Sequence, residues 1–179
     1  QFDAVFYPGG RCCPGERLAA DPGNTRLLGR MLDSGKVVGA VSYGPAALLG
    51  GTRCDGHPLV FRRGVTGLSN AEEDANPEDS SSVRFRLEDR LKSAGAHYLS
   101  REPWLSHVVV DGNLVTGQNP DSAAAVGEDS PAGARLKVHS PVCRIDPTPL
   151  PGAGFLFFGR EWSRKKLSAT GIIRCAVIK

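Results

Sequence analysis

Two short apolar runs constrain this chain most. Phe2-Asp-Ala-Val-Phe-Tyr7 is apolar but for Asp3, and Lys36-Val-Val-Gly-Ala-Val41 is apolar after Lys36. Each reads as a buried strand, and each ends in a turn containing glycine, Pro8-Gly9-Gly10 and Ser42-Tyr43-Gly44. Between them Asp21-Pro22 is a helix start, Leu27, Leu28, Met31 and Leu32 share one helical face, and Gly35 suits the C-terminal cap. A further helix start follows at Pro45-Ala-Ala-Leu-Leu49. Strand, helix, strand, tight turn, helix is the pattern of a parallel sheet with crossovers.

Downstream, Leu59-Val60-Phe61 and Gly64-Val65-Thr66 read as short strands. Phe85, Leu87, Leu91 and Ala94 give an amphipathic helix ending at Gly95. His107 to Val110 and Asn113 to Thr116 flank Asp111-Gly112, which predicts a hairpin with a type I′ turn. Asn119-Pro120 starts another helix. Residues 11–17 show no periodicity. After Gly127 regular patterning stops and Pro recurs at 131, 141, 147, 149 and 151. The expected organisation is one domain over 1–127 and an irregular basic tail over 128–179, with room for one added strand. A strand so close to Gln1 leads us to expect that part of the sheet belongs upstream.

Composition narrows the function classes. With 40% hydrophobic residues among 179, the chain can bury a core. No run approaches the ~20 apolar residues of a membrane helix. Residues 128–179 hold nine basic and four acidic side chains, +5 against −2 for the remainder. Arg62-Arg63 and Arg164-Lys165-Lys166 read as exposed charge, without the aromatic interleaving of a nucleic-acid site, so nucleic acid is not the expected partner. Five Cys residues fit no metal spacing, and reduced thiols in a cytoplasmic protein are the simpler reading.

Three stretches carry a family resemblance. They are Asp3-Ala-Val-Phe-Tyr-Pro-Gly-Gly10, Gly35 through Ser42-Tyr43-Gly44 to Leu49, and Val65-Thr-Gly-Leu-Ser-Asn-Ala-Glu-Glu73 with Val108-Val-Val-Asp-Gly-Asn-Leu-Val-Thr-Gly-Gln-Asn-Pro120. Their order resembles the PfpI superfamily, in its glyoxalase III and heat-shock chaperone branch. The resemblance implies an α/β fold of the class I glutamine amidotransferase type, with a doubly wound, mostly parallel sheet. It implies a nucleophile on a sharp strand-to-helix turn at position 42, flanked by the small residues Ala40 and Gly44. It also implies conversion of methylglyoxal to lactate without metal or organic cofactor. The implied partner is a small dicarbonyl or aldehyde, and homodimers are common in the family.

The chain departs from that family at its centre. The usual Cys-His pair is Ser42-Tyr43 here. A Ser hydroxyl needs an adjacent base, and Tyr titrates near pH 10, so the activity is expected to be degenerate. The loop after Gly10, Arg11-Cys12-Cys13-Pro14, and the sequence past Val126 also depart, as does the missing upstream glutamate that would contact the nucleophile. Glu72 aligns with an acidic position near the family pocket and would orient a proton-transferring partner; the competing reading is a solvated acidic turn. Backbone N–H groups of Gly10 and Tyr43 are the candidate oxyanion donors. Cys12 and Cys13 are weak substitutes for the missing thiol. Two rival readings stand beside the degenerate enzyme. One is a non-enzymatic holdase or binding module. The other is a serine hydrolase using Ser42, for which no motif places His57, His97, His107 or His139 as partner.

Overall fold

A computed structural model describes residues 3–9, 14–75, 85–128 and the backbone of 176–178. Strands β1 (Ala4–Tyr7), β2 (Val37–Val41) and β6 (Leu114–Gly117) form the parallel centre of a five-stranded sheet. β5 (Val108–Asp111) adds antiparallel to β6, and β7 (Ala176–Ile178) adds antiparallel to β1. The order is β5-β6-β2-β1-β7. Hence the tail, expected to be irregular, contributes one edge strand among its described residues. β3 (Gly64–Val65) and β4 (His97–Tyr98) make a small parallel pair beside it.

Strand side chains alternate between two covered faces. Val5, Tyr7, Val38, Ala40 and Leu114 pack with Leu28, Met31 and Leu32 of α2 (Pro22–Asp33) and with Leu87 and Leu91 of α4 (Leu87–Ser93). Ala4, Phe6, Val37, Val41 and Val115 pack on the other face with Val126 of α5 (Ala123–Glu128). A sheet apolar on both sides and covered by helices on both sides is the doubly wound α/β arrangement.

Local chemistry explains most boundaries. The Asp21 carboxylate accepts from Asn24 N–H at 2.8 Å, so the expected cap of α2 is present. α4 ends near Gly95, as its periodicity indicated. Pro45–Leu49 was expected to open an ordinary helix, and instead forms a 3-10 turn over Gly44–Leu48. Asn119 caps a second 3-10 turn, Pro120–Ser122, which runs into α5.

Three expectations need correction. Leu59-Val60-Phe61 is a turn, because Leu59 and Val60 are buried by packing without any strand partner. The hairpin pairs Asp111 with Leu114, so its loop is Gly112-Asn113. Only Gly112 has positive φ there, which rules out the type I′ turn. Residues without periodicity after Arg11 include a real helix, α1 (Pro14–Ala20), which packs against the 3-10 turn after β2.

Candidate functional site

Because β1, β2 and β6 are parallel, their carboxyl ends lie on one side of the sheet. In open α/β sheets ligands bind on that side. Ser42 follows β2 there. Its φ is +58°, a left-handed conformation that L-residues avoid. The elbow implied by the resemblance therefore exists in the backbone. Ser42 itself is half-buried, with solvent access left to it.

Close approach enforces the small neighbours. A Cβ on Gly44 would stand 2.3 Å from the Tyr7 carbonyl oxygen, so only glycine allows the elbow to rest on the end of β1. Gly9, the last described residue after β1, lies against the same turn: its added Cβ would be 3.2 Å from both Ser42 Cβ and Tyr43 N. Ala40 is fully buried within β2. Gly10, Cys12, Cys13 and His139 lie outside the described residues, as does the basic run 164–166.

Both backbone groups of Ser42 are clamped. Its N–H donates to Gly117 C=O at 2.9 Å, and its C=O accepts from Leu68 N–H at 2.9 Å. Tyr43 turns into the core. Its ring stacks on Phe85 with centroids 6.1 Å apart, and its hydroxyl donates to the Phe85 carbonyl at 3.0 Å. A phenol so placed anchors the segment before α4.

Glu72 sits in α3 (Asn70–Ala75) and is buried, not a solvated turn residue. One oxygen accepts from Ser69 N–H and Ser69 Oγ, both at 2.9 Å. The other accepts from Trp104 N–H and Asn119 Nδ2, also at 2.9 Å. Burial opposes its ionisation, and these hydrogen bonds more than offset that, leaving the carboxyl below its ordinary value. Glu73 is also buried, and burial pushes its carboxyl up despite the bond it accepts from Leu87 N–H at 3.1 Å. Burial, then Arg101, lowers the His107 imidazole. His57 stacks on Phe61 at 4.3 Å and His97 pairs in β4, so neither is shown meeting the elbow. Among the described residues no cluster of His, Cys, Asp or Glu could hold a metal ion. Likewise no described helix is long and apolar enough to cross a membrane.

Ser69, Gln118 and Asn119 also contribute to the site. Ser69-Asn-Ala-Glu72 is a capping box: Ser69 Oγ accepts from Glu72 N–H at 3.2 Å while the Glu72 carboxylate takes Ser69 N–H. Its S-x-x-E spacing was the available signal. Gln118 and Asn119 are fully buried and hold the loop that follows β4. Gln118 bonds Arg101 N–H at 2.8 Å and Arg101 C=O at 3.1 Å, and Asn119 Nδ2 reaches Leu105 C=O at 2.7 Å.

Fold and site together define a doubly wound α/β protein with a strained elbow after a central parallel strand. The chain belongs to the DJ-1/PfpI family, whose model matches residues 1–130. It is similar to the glutathione-independent glyoxalase HSP31 of Saccharomyces cerevisiae, 40% identical over 95 residues, 50% of this chain and 40% of that protein. It is also similar to the human glutamine amidotransferase-like class 1 domain-containing protein 1, 35% identical over 124 residues, 68% of this chain and 54% of that one. Among solved structures it resembles glyoxalase III from Candida albicans, with a TM-score of 0.64 and 28% identity, covering 71% of this chain and 55% of that one. The chain spans about half the length of the curated relatives it matches.

Proposed function

We propose that this chain is a degenerate member of the glyoxalase III branch, one that binds a small dicarbonyl or aldehyde beside Ser42 and has lost the lyase step. Relatives named as glyoxalases support the substrate class. The observation that carries the loss is Tyr43. Its ring is packed on Phe85 and its hydroxyl is engaged with a backbone carbonyl, so the residue after the elbow supplies no base at neutral pH. Ser42 is then an unactivated hydroxyl on a strained turn. The N–H groups of Gly10 and Tyr43 remain the candidate carbonyl-oxygen donors, because backbone donors survive side-chain replacement. Glu72 accepts four hydrogen bonds and serves as an anchor, not as the partner of a proton carrier.

The test is D-lactate formation from methylglyoxal by the purified full chain, followed by NMR. No lactate above the buffer rate is expected. Steady production proportional to protein concentration would overturn the reading.

A further inference from the structure

The two clamps on Ser42 meet at one side chain. On one side, Leu68 N–H holds the Ser42 carbonyl, and the next residue, Ser69, gives both its N–H and its hydroxyl to Glu72. On the other, Gly117 C=O takes the Ser42 N–H, and two residues on, Asn119 gives its amide to Glu72. The circuit therefore closes from Ser42 through 68–69 and Glu72 to 117–119 and back.

The same carboxylate reaches outward. It takes the N–H of Trp104, which is itself at φ +66°. Trp104 and Leu105 are exposed, at 41% and 56%. Asn119 binds the Leu105 carbonyl as well as Glu72. Left-handed backbone in residues bearing side chains persists only where the surroundings over-determine it. Here one buried group contributes to holding two of the three such positions among the described residues, Ser42 and Trp104 but not Arg62.

We propose that Glu72 is the positioning residue of the Ser42 elbow, and that its carboxylate ties the elbow backbone to the Trp104–Leu105 loop. This gives the residue a role with no proton transfer in it. The consequence is coupling: a ligand that orders either end restrains the other. The inference stands whether or not the ligand is a dicarbonyl, so its test and the lactate assay fail independently.

The test is amide hydrogen exchange, resolved by residue, on the full chain and its Glu72→Gln variant. A glutamine amide replaces one acceptor oxygen with a donor and cannot serve all four donors. Protection should fall at least about tenfold at Ser42, Leu68 and Trp104 together, while Val38 in the sheet stays within about twofold. Unchanged protection at Ser42 and Leu68 would reduce Glu72 to a cap on a surface loop and overturn the proposal. A uniform fall that includes Val38 would also overturn it, since it marks general loss of stability. Should Glu72→Gln not fold, Ser69→Ala removes one of the four donors to the carboxylate, together with the acceptor of Glu72 N–H. It must then give the same pattern at smaller size, and exchange confined to residue 69 would overturn the proposal.

Discussion

The chain enters β2 through Gly35, at φ +73°, and the neighbouring hairpin turns on Gly112, at φ +58°. It leaves β2 through Ser42, at φ +58°, beside a loop that turns on Trp104, at φ +66°. A buried or half-buried polar side chain organises both ends. At the entry it is neutral: Asn113 Nδ2 reaches the carbonyls of Met31, Leu32 and Lys36 at 3.5, 3.0 and 2.7 Å, binding helix end to hairpin. At the exit it is Glu72, an ionised group with four donors. At the entry the turns at Gly35 and Gly112 put strain on glycines, where it is nearly free, although Arg62, at φ +57° next to the Arg63 that reaches Asp111 of the same hairpin, carries a side chain. At the exit Gly9, at φ +82°, shares the strain with Ser42 and Trp104, and at those two it must be held by other contacts. The difference teaches that the exit holds two side-chain-bearing residues at positive φ through one buried carboxylate, where the entry is tied by a neutral amide.

The largest expected effect comes from removing the glycine that the exit does use. Gly44→Ala places a methyl 2.3 Å from the Tyr7 carbonyl oxygen, which only backbone movement relieves. It should cost about 3 kcal/mol or more in urea unfolding, in the range of severe overpacking. Gly35→Ala at the entry meets nothing within 4 Å and should cost only the left-handed penalty, about 1 kcal/mol. Equal costs would dissolve the contrast between the two ends.

Titration sharpens it at intermediate size. The Glu72 carboxyl lies below its ordinary 4.5, so its stabilisation is full above that value and fades as pH falls through the lower folded value. Glu73 is raised above 4.5, so its native state favours the proton, and stability is lost as pH rises through the raised value. Urea midpoints should therefore rise in Glu73→Gln relative to the parent at pH above the raised Glu73 value, and match it more closely below 4.5. In Glu72→Gln the acid-side loss should shrink. A Glu73→Gln midpoint that falls at neutral pH would contradict the assignment of burial as the dominant cause.

The sheet was legible because burial on both faces leaves an all-apolar run, as in β1 and β2. That criterion failed at Leu59-Val60-Phe61, where apolar residues are buried in a turn. α1 was missed because its seven residues carry too little periodicity to register. The elbow was legible only through the resemblance, since no local rule puts a serine at positive φ. Glu72 is legible in the sequence through its alignment alone, since two of its partners lie 32 and 47 residues away and leave no mark in its surroundings. Tyr43 stands out in the sequence for what it replaces, and its contact with Phe85, 42 residues on, gives it a structural use that sequence spacing does not show.

The central claim is that Ser42 holds a strained conformation that its surroundings impose. Ser42→Gly tests it with the smallest change in volume. Glycine relieves the left-handed strain, about 1 kcal/mol, and loses part of that to its greater freedom in the unfolded chain. The unfolding free energy measured in urea should therefore stay equal or rise by about 0.5 kcal/mol. A fall of about 1 kcal/mol or more would mean that the turn carries no such strain, and the account of the elbow would be wrong.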